Sequence, residues 1–144
     1  MSRTPQEVAL LVKRLQHRHH RALTAALAPL GISLVQWDTL RHLGRHRDAS
    51  LHDLAQLTFQ TDQSFGSLAA RMAERGLIER VPGPGRAVRH RITARGEEVR
   101  KAGETVMNEV LAGSLAPLTQ DRLDRLGELL DLVLDPVGQS SGES

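Results

Sequence analysis

Apolar side chains recur at helical spacing in six segments of the chain, and a short polar residue that favours a helix start precedes each segment. In the first segment Thr4 stands before Pro5, with Glu7 three residues after the threonine, which is the pattern of a capping box. We expect this helix to end at Pro29 and Gly31. The pattern predicts a mainly α-helical chain whose helices start after Thr4, Ser33, Ser50, Thr61, Thr93 and Thr119.

The fourth of these helices separates an apolar face from a polar one. Four apolar side chains at core spacing are expected to be buried, and Gly76 follows as a natural C-terminal stop. The polar side chains suit the edges of bases in a major groove: Gln63 can bond adenine, Asp62 can accept from a cytosine amine, and Arg71 can reach guanine or a phosphate. A polar stripe alone is more typical of a solvated surface helix than of a DNA-binding one, so the next segment decides between them. The residues predicted to be buried are Phe65, Leu68, Ala69 and Met72, and those predicted to contact DNA are Thr61, Asp62, Gln63, Ser64, Ser67 and Arg71.

That next segment has two short β-capable runs, residues 77–81 and 88–92, separated by PGPGR, whose prolines and glycines favour a turn. The runs predict a small wing of two or three strands. Between Arg80 and Gly96 there are five arginines and no carboxylate, which creates a strong positive potential. Arg86 at the loop tip is expected to enter a minor groove. Arg89 and Arg91 share one face of a strand and are expected to follow the DNA backbone together.

These elements predict a winged helix-turn-helix head over residues 33–93, flanked by terminal helices over residues 5–30 and 94–135. The length fits one folded unit over residues 1–144, and the composition of residues 136–144 is that of a disordered tail. The terminal helices carry more apolar surface than the head can cover. We therefore expect a symmetric homodimer in which the terminal helices of both subunits interlock as dimerisation helices.

Composition adds an uneven distribution of charge. Residues 1–101 hold 17 basic and 9 acidic side chains, whereas residues 102–144 hold 2 and 8. A basic body favours a polyanionic partner such as double-stranded DNA. The absence of cysteine excludes disulfides, thiolate metal sites and cysteine-based redox sensing. The chain lacks a signal-peptide core and any apolar run near the roughly 18 residues of a membrane span, so we expect a cytoplasmic protein without a membrane partner.

Histidines are the candidate metal ligands. His17, His19 and His20 stand in HRHHR, with the first and last about one helical turn apart, and His42 and His46 are spaced at i and i+4. Two histidines make half a site and no matched acidic ligand is near, so solvated helix faces are favoured and neither a metal nor a cofactor is predicted. The chain also has no phosphate loop, no nucleophile elbow and no HExxH pattern, and we do not expect an enzyme.

The order of the elements resembles that of the MarR family of bacterial winged-helix transcriptional regulators. The resemblance covers nearly the whole chain. It is most specific in ARMAERGLIER, which is similar to the family's recognition-helix exit, in RITARGEE, which is similar to the close of its wing, and in LVQWDTLRHL. The resemblance implies an obligate homodimer that binds a palindrome, usually represses transcription and is often released by a small ligand.

The chain departs from the pattern of that family in two places. The family's wing commonly has an Asp-Arg pair near its tip, whereas the aligned stretch here is Pro84-Gly85-Arg86, so only Arg86 carries over. In the turn before the recognition helix a glycine is usual and this chain has Phe59, which leaves the geometry of that turn open. Neither change removes the basic wing.

The resemblance also implies a place for an effector, because family members often bind ligands between the dimerisation helices and the head. Trp37, with His17 and Arg21 from the first helix, would border such a cleft. For Trp37 the alternative is packing in the core, since apolar side chains surround it along the second helix.

We therefore expect a sequence-specific DNA-binding transcriptional regulator, a repressor, that acts as a homodimer on a palindromic operator and is released by a small molecule. Its half-sites should lie about 10 to 10.5 base pairs apart. Two alternatives stay open. One is a metal-sensing winged-helix regulator, and the other is a winged-helix protein-interaction module whose wing arginines meet an acidic protein surface instead of phosphates.

Overall fold

The computed structural model describes residues 2–46, 49–82, 85 and 88–135. Within these ranges six α-helices and two β-strands follow one another in the predicted order. Arg86 at the wing tip and the tail, 136–144, lie outside the described residues. The helices are α1 (Pro5–Leu27), α2 (Leu34–Arg45), α3 (Leu51–Leu57), α4 (Asp62–Glu74), α5 (Ala94–Leu115) and α6 (Gln120–Leu134), and the strands are β1 (Ile78–Val81) and β2 (Arg89–Ile92).

The helices start where the capping residues predict. In a complete capping box the hydroxyl of the cap residue accepts from the backbone N–H of the residue three positions later. The side chain of that later residue accepts from the backbone N–H of the cap residue. The first helix ends earlier than expected, at Leu27, because a 3-10 turn, Ala28–Leu30, leads into Gly31 with its left-handed φ of +73°. Thr4, Ser33 and Ser50 form complete boxes, and Thr61, Thr93 and Thr119 accept the backbone bond.

The wing is an antiparallel pair of β1 and β2. In its register Glu79 stands opposite Arg91. A single bridge between Ser50 and Arg89 adds one residue of a third strand beside β2. The mainly α-helical fold with a wing of two to three strands is therefore confirmed.

The chain divides into two compact units, Met1–Val110 and Leu111–Ser144. The first unit holds an aliphatic core in which Phe65 is the one aromatic side chain that is fully buried among the described residues. The predicted apolar face of α4 is buried, as expected. The large side chains with less than 2% exposure are Phe65, Leu27, Leu40, Leu54, Met72, Leu77, Ile78 and Thr39.

Large apolar side chains stay exposed in each unit. α6, in the second unit, buries none of its residues. None of the helices in the described ranges is both long enough and apolar enough to cross a membrane. On the terminal helices these residues are Val8, Leu10, Leu11 and Val12 of α1, and Leu129, Leu130, Leu132, Val133 and Leu134 of α6; Leu57 and Phe59 in the first unit are exposed as well.

Candidate nucleic-acid interface

The helix α4 presents a polar face to solvent along its length. Its apolar face packs into the core of the first unit, which fixes the orientation of the helix. An anchored helix with an exposed polar first turn is the arrangement that a recognition helix needs. The exposed polar residues of α4 include the predicted Asp62, Gln63, Ser64, Ser67 and Arg71, and Glu74 at its last position is exposed as well.

The first turn of α4 is held by its own side chains. The hydroxyl oxygen of Thr61 accepts from the backbone N–H of Ser64 at 3.1 Å, and Ser64 Oγ donates to Gln60 Oε1 at 3.0 Å. Thr61 and Ser64 thus already have intramolecular partners. Gln63 is exposed, and among the described residues its side chain has no hydrogen-bond partner. Of the four residues at this helix end, Gln63 is therefore the best placed to bond a base directly.

Asp62 has a partner that the sequence analysis missed. His52 of α3 donates from Nδ1 to Asp62 Oδ1 at 3.0 Å, and Oδ2 lies 3.1 Å from the same nitrogen. More than half of each side chain is exposed, so this pair contributes little to stability. It does hold the Asp62 carboxylate at the N-terminus of α4. His52 lies ten residues before Asp62, and only the packing of α3 beside α4 brings the two together.

The turn between α3 and α4 contains Phe59, the residue that departs from the family pattern. Its φ is +58°, in the left-handed region, and its side chain is 95% exposed. The N–H of Phe59 donates to Gln56 O at 3.2 Å, and the N–H of Gln60 donates to Ala55 O at 2.8 Å. These are the two bonds of a Schellman motif. Phe59 therefore takes the backbone conformation of a glycine.

The arginines of the wing differ in exposure. Arg91 is exposed, whereas Arg89 is partly buried. His90 between them has only 3% exposure, as the alternation of side chains along a strand requires. Its burial, together with the nearby charge of Arg80, lowers the pKa of the imidazole. Arg91 and His90 therefore lie on opposite faces of the wing, and only His90 is buried.

A carboxylate also faces the wing arginines. Glu79 of β1 stands directly opposite Arg91 of β2, and side chains in such pairs have Cβ atoms about 4.5–5.5 Å apart. The positive potential at Arg91 is therefore smaller than the run of residues from Arg80 to Gly96 suggests. Glu79 was missed because charge was counted along the chain and not across the strands.

Trp37 lines an open cleft of about 920 Å³ between α2, β2 and the first turns of α5. Its indole N–H donates to the carbonyl of Arg100 at 3.0 Å. The ring also packs on Gly103, where an added Cβ would lie 2.5 Å from Trp37 Cδ1. The guanidinium carbon of Arg41 is 5.9 Å from the ring centroid, within cation–π range. Trp37 therefore joins α2 to α5 and also borders the cleft.

Arginine dominates the charge of this cleft, which Arg41, Arg45, Arg91 and Arg100 line. Arg100 lies 2.7 Å from Glu97 and 3.0 Å from Glu104. Its hydrogen bond to Glu97 raises the pKa of Arg100 and lowers the pKa of Glu97. Two acidic side chains thus hold Arg100 at one wall.

The other predicted effector residues lie elsewhere. His17 and Arg21 line a separate, more open cleft of about 870 Å³ along α1. The structure does not bring them into one cavity with Trp37. The rings of His42 and His46 stack at 6.1 Å. Across the described part of the chain no three His, Cys, Asp or Glu side chains gather in a way that could hold a metal ion.

Comparison with known proteins agrees with the fold. The model of the MarR family matches residues 30–87, which include α2, α3 and α4. The chain is 29% identical over 111 residues to the HTH-type transcriptional repressors Rv2887 of Mycobacterium tuberculosis and Mb2911 of Mycobacterium bovis. Each alignment covers 76% of this chain and 80% of the relative.

Solved structures extend the similarity to nearly the whole chain. The crystal structure of Rv2887 with p-aminosalicylic acid has a TM-score of 0.73 and 26% identity, covering 87% of this chain and 96% of that chain. The apo form of MarR from Escherichia coli has a TM-score of 0.80 and 21% identity, covering 92% and 99%. The relatives are regulators of transcription and not enzymes. Residues 30–87 thus resemble the MarR family of winged-helix transcriptional regulators, and the solved structures share the fold of most of the chain.

Proposed function

We propose that this regulator is a repressor that binds double-stranded DNA as a homodimer, with one α4 helix in each of two successive major grooves. The observation that carries the proposal is the exposed polar first turn of α4 on a helix whose opposite face is buried. Arg89 and Arg91 of β2 are suited to the DNA backbone beside the groove. The repressor names of the mycobacterial relatives support the direction of regulation.

The proposed dimer rests on the apolar side chains that α1 and α6 each expose. Exposed apolar residues on a helix favour burial against another chain, and a two-fold symmetric pair is the commonest way to achieve it. A dimer with two-fold symmetry reads a palindrome, with half-site centres about 10 to 10.5 base pairs apart. Sedimentation equilibrium tests this step, because a purely monomeric species at micromolar concentration contradicts the proposal.

Mobility shifts on the DNA upstream of the encoding gene test the central claim, with salt varied from about 50 to 200 mM. Gln63→Ala should lose about 1–3 kcal/mol of binding free energy at one base pair of each half-site and little at the other base pairs. Arg91→Ala should weaken all sequences alike and reduce the slope of log affinity against log salt by about 1 for each subunit.

Two variants serve as matched controls for these losses. Gln6→Ala, at the start of α1, and Arg3→Ala, before the first helix, remove the same side-chain types from exposed positions outside the proposed interface. Both should bind as the wild type does. If the wild type fails to bind any duplex at low salt, DNA binding is not the function.

We further propose that the cleft beside Trp37 takes a small aromatic acid that releases the DNA. Arginines at its walls suit a carboxylate, and the indole offers an aromatic face. The related Rv2887 has been crystallised with salicylic acid and with p-aminosalicylic acid, which supports this class of ligand. His17 and Arg21 remain the competing site, on α1.

Trp37 is the one tryptophan of the chain, so its fluorescence reports on this cleft directly. Titration with salicylate should change the emission and lower the affinity for DNA over the same concentration range. Arg45→Ala should weaken both effects if the ligand binds beside Trp37. If His17→Ala or Arg21→Ala weakens them and Arg45→Ala does not, the site is the cleft of α1.

A further inference from the structure

The two phenylalanines of the chain have opposite environments. Phe65 of α4 is fully buried, whereas Phe59, in the turn before that helix, is 95% exposed and is the most exposed large apolar side chain among the described residues. The ring of Phe59 therefore adds almost nothing to the core. Any favourable contact that it makes must be with another molecule.

The backbone at Phe59 is also unfavourable for this residue type. It is the one non-glycine residue in the described ranges with a positive φ, and the left-handed region is rare for bulky side chains. The bonds from Phe59 to Gln56 and from Gln60 to Ala55 enforce the turn. Thr58 supports it, because its hydroxyl donates to Leu54 O at 2.7 Å. A strained residue in an enforced turn, with an exposed side chain, is a candidate for function and not for folding.

The position of Phe59 selects the partner. It lies two residues before Thr61, whose hydroxyl caps α4, and two residues of backbone span at most about 7 Å. The ring thus stands at the helix end that presents Asp62, Gln63 and Ser64. The apolar feature of a major groove is the C5 methyl group of thymine, and phenylalanine is one of the side chains that contact it.

We propose that Phe59 reads a thymine methyl group at the edge of each half-site, next to the base pair that Gln63 bonds. The inference rests on the proposed DNA binding and adds a specificity-determining residue to it. A phenyl ring offers neither a charge nor a hydrogen-bonding group to a polar base edge or a phosphate. Dependence on the methyl group itself is therefore what distinguishes this contact from the others at the same helix end.

The test replaces single thymines of the bound duplex with deoxyuridine, which removes only the methyl group. Wild-type protein should lose about four-fold in affinity at one thymine of each half-site, the value for one buried carbon group. Phe59→Gly should bind the unmodified duplex less tightly by a similar factor and should not respond to deoxyuridine at that position. Phe59→Leu, which keeps an apolar side chain, should retain part of the response.

Two controls keep the outcomes distinct. Gln63→Ala should lose discrimination at the base pair that Gln63 bonds, and its affinity should still fall in full when the methyl group is missing. Phe59→Gly should unfold at a temperature no lower than the wild type, because glycine suits the left-handed turn. If Phe59→Gly binds like the wild type, or if its loss is the same on thymine and uracil duplexes, the proposal is overturned while DNA binding stands. If the wild type binds no duplex, both proposals fall.

Discussion

The two ends of α4 are built for different tasks. Each end adjoins a Schellman turn with a residue of left-handed φ. That residue is Phe59 before the helix and Gly76 after it. At the first end, the side chains of Asp62, Gln63 and Ser64 are exposed, and Asp62 is paired with His52 of α3. At the second end, the backbone is bonded to the start of α5: Thr93 Oγ1 donates to Gly76 O at 2.6 Å.

This difference indicates where stability and recognition lie. The C-terminal end continues into β1, and the carbonyl of Leu77 accepts from the N–H of Thr93 at 3.1 Å while Gly96 packs against it. The backbone of that end is therefore bonded within the first unit, although the side chains of Glu74 and Arg75 are exposed. The N-terminal end instead combines a left-handed turn with an exposed ring, and its pair of Asp62 with His52 is also exposed. Substitutions at the two ends should therefore separate loss of folding from loss of binding.

The largest effect is expected for Gly96→Ala. A Cβ at this position would lie 2.0 Å from Leu77 O and 2.9 Å from Ile92 Cγ1, and a backbone carbonyl cannot rotate away as a side chain can. We expect the free energy of unfolding to fall by about 3 kcal/mol or more, measured by urea denaturation followed by circular dichroism. Gly113→Ala in the same helix has nothing within 4 Å of the added carbon, so that variant should be as stable as the wild type or slightly more so. Equal losses in both variants would refute the explanation.

Gly76→Ala should cost less. The nearest atom to an added Cβ is Arg95 Cδ at 4.0 Å, so space is sufficient and only the φ of +73° opposes the change. A left-handed L-residue costs about 1–2 kcal/mol. Thermal unfolding should show this loss, and the affinity for DNA of the folded variant should equal that of the wild type. Reduced affinity in a fully folded sample would mean that the two ends of α4 are not independent.

Much of this architecture was predictable because helix starts are encoded locally. Thr4, Ser33 and Ser50 each precede a partner residue by three positions, and that spacing alone specifies a capping box. The exposed face of α4 followed in the same way from helical spacing. The polar candidates on that helix, from Asp62 to Arg71, were therefore correctly expected to face solvent.

The partners of Asp62 and Arg91 were not predictable in this way. The pairing of His52 with Asp62 depends on how α3 packs beside α4, and the position of Glu79 opposite Arg91 depends on the register of the wing. Neither follows from spacing along the chain. The cleft shows the same limit, because Trp37 and His17 both lie on predicted helices and still line different cavities.

Phe59→Gly should have a smaller effect on stability, and of opposite sign to that of Gly76→Ala. Glycine removes the left-handed strain but loses more conformational entropy on folding, so a net gain of about 0.5–1 kcal/mol is expected. Differential scanning calorimetry measures it. Phe59→Ala separates the causes, because it removes the exposed ring and keeps the strain. If Phe59→Ala stabilises the protein as much as Phe59→Gly does, the backbone conformation is not what costs stability at this turn.

The smallest effect is expected for Asp62→Asn, at the recognition end. The Asp62 carboxylate stands at the exposed N-terminus of α4, where it repels phosphates of any sequence, and its pair with His52 is too exposed to contribute much stability. Asparagine keeps the shape and removes the charge. Affinity for duplexes that lack the operator should therefore rise about three-fold near 50 mM salt and converge with that of the wild type as salt increases.

Asp121→Asn, in the first turn of α6, removes a carboxylate from an equivalent place on a helix outside the proposed DNA interface and should leave this affinity unchanged. If both substitutions raise the affinity equally, net charge is responsible; if only Asp62→Asn does, this carboxylate acts locally to suppress binding to the wrong DNA.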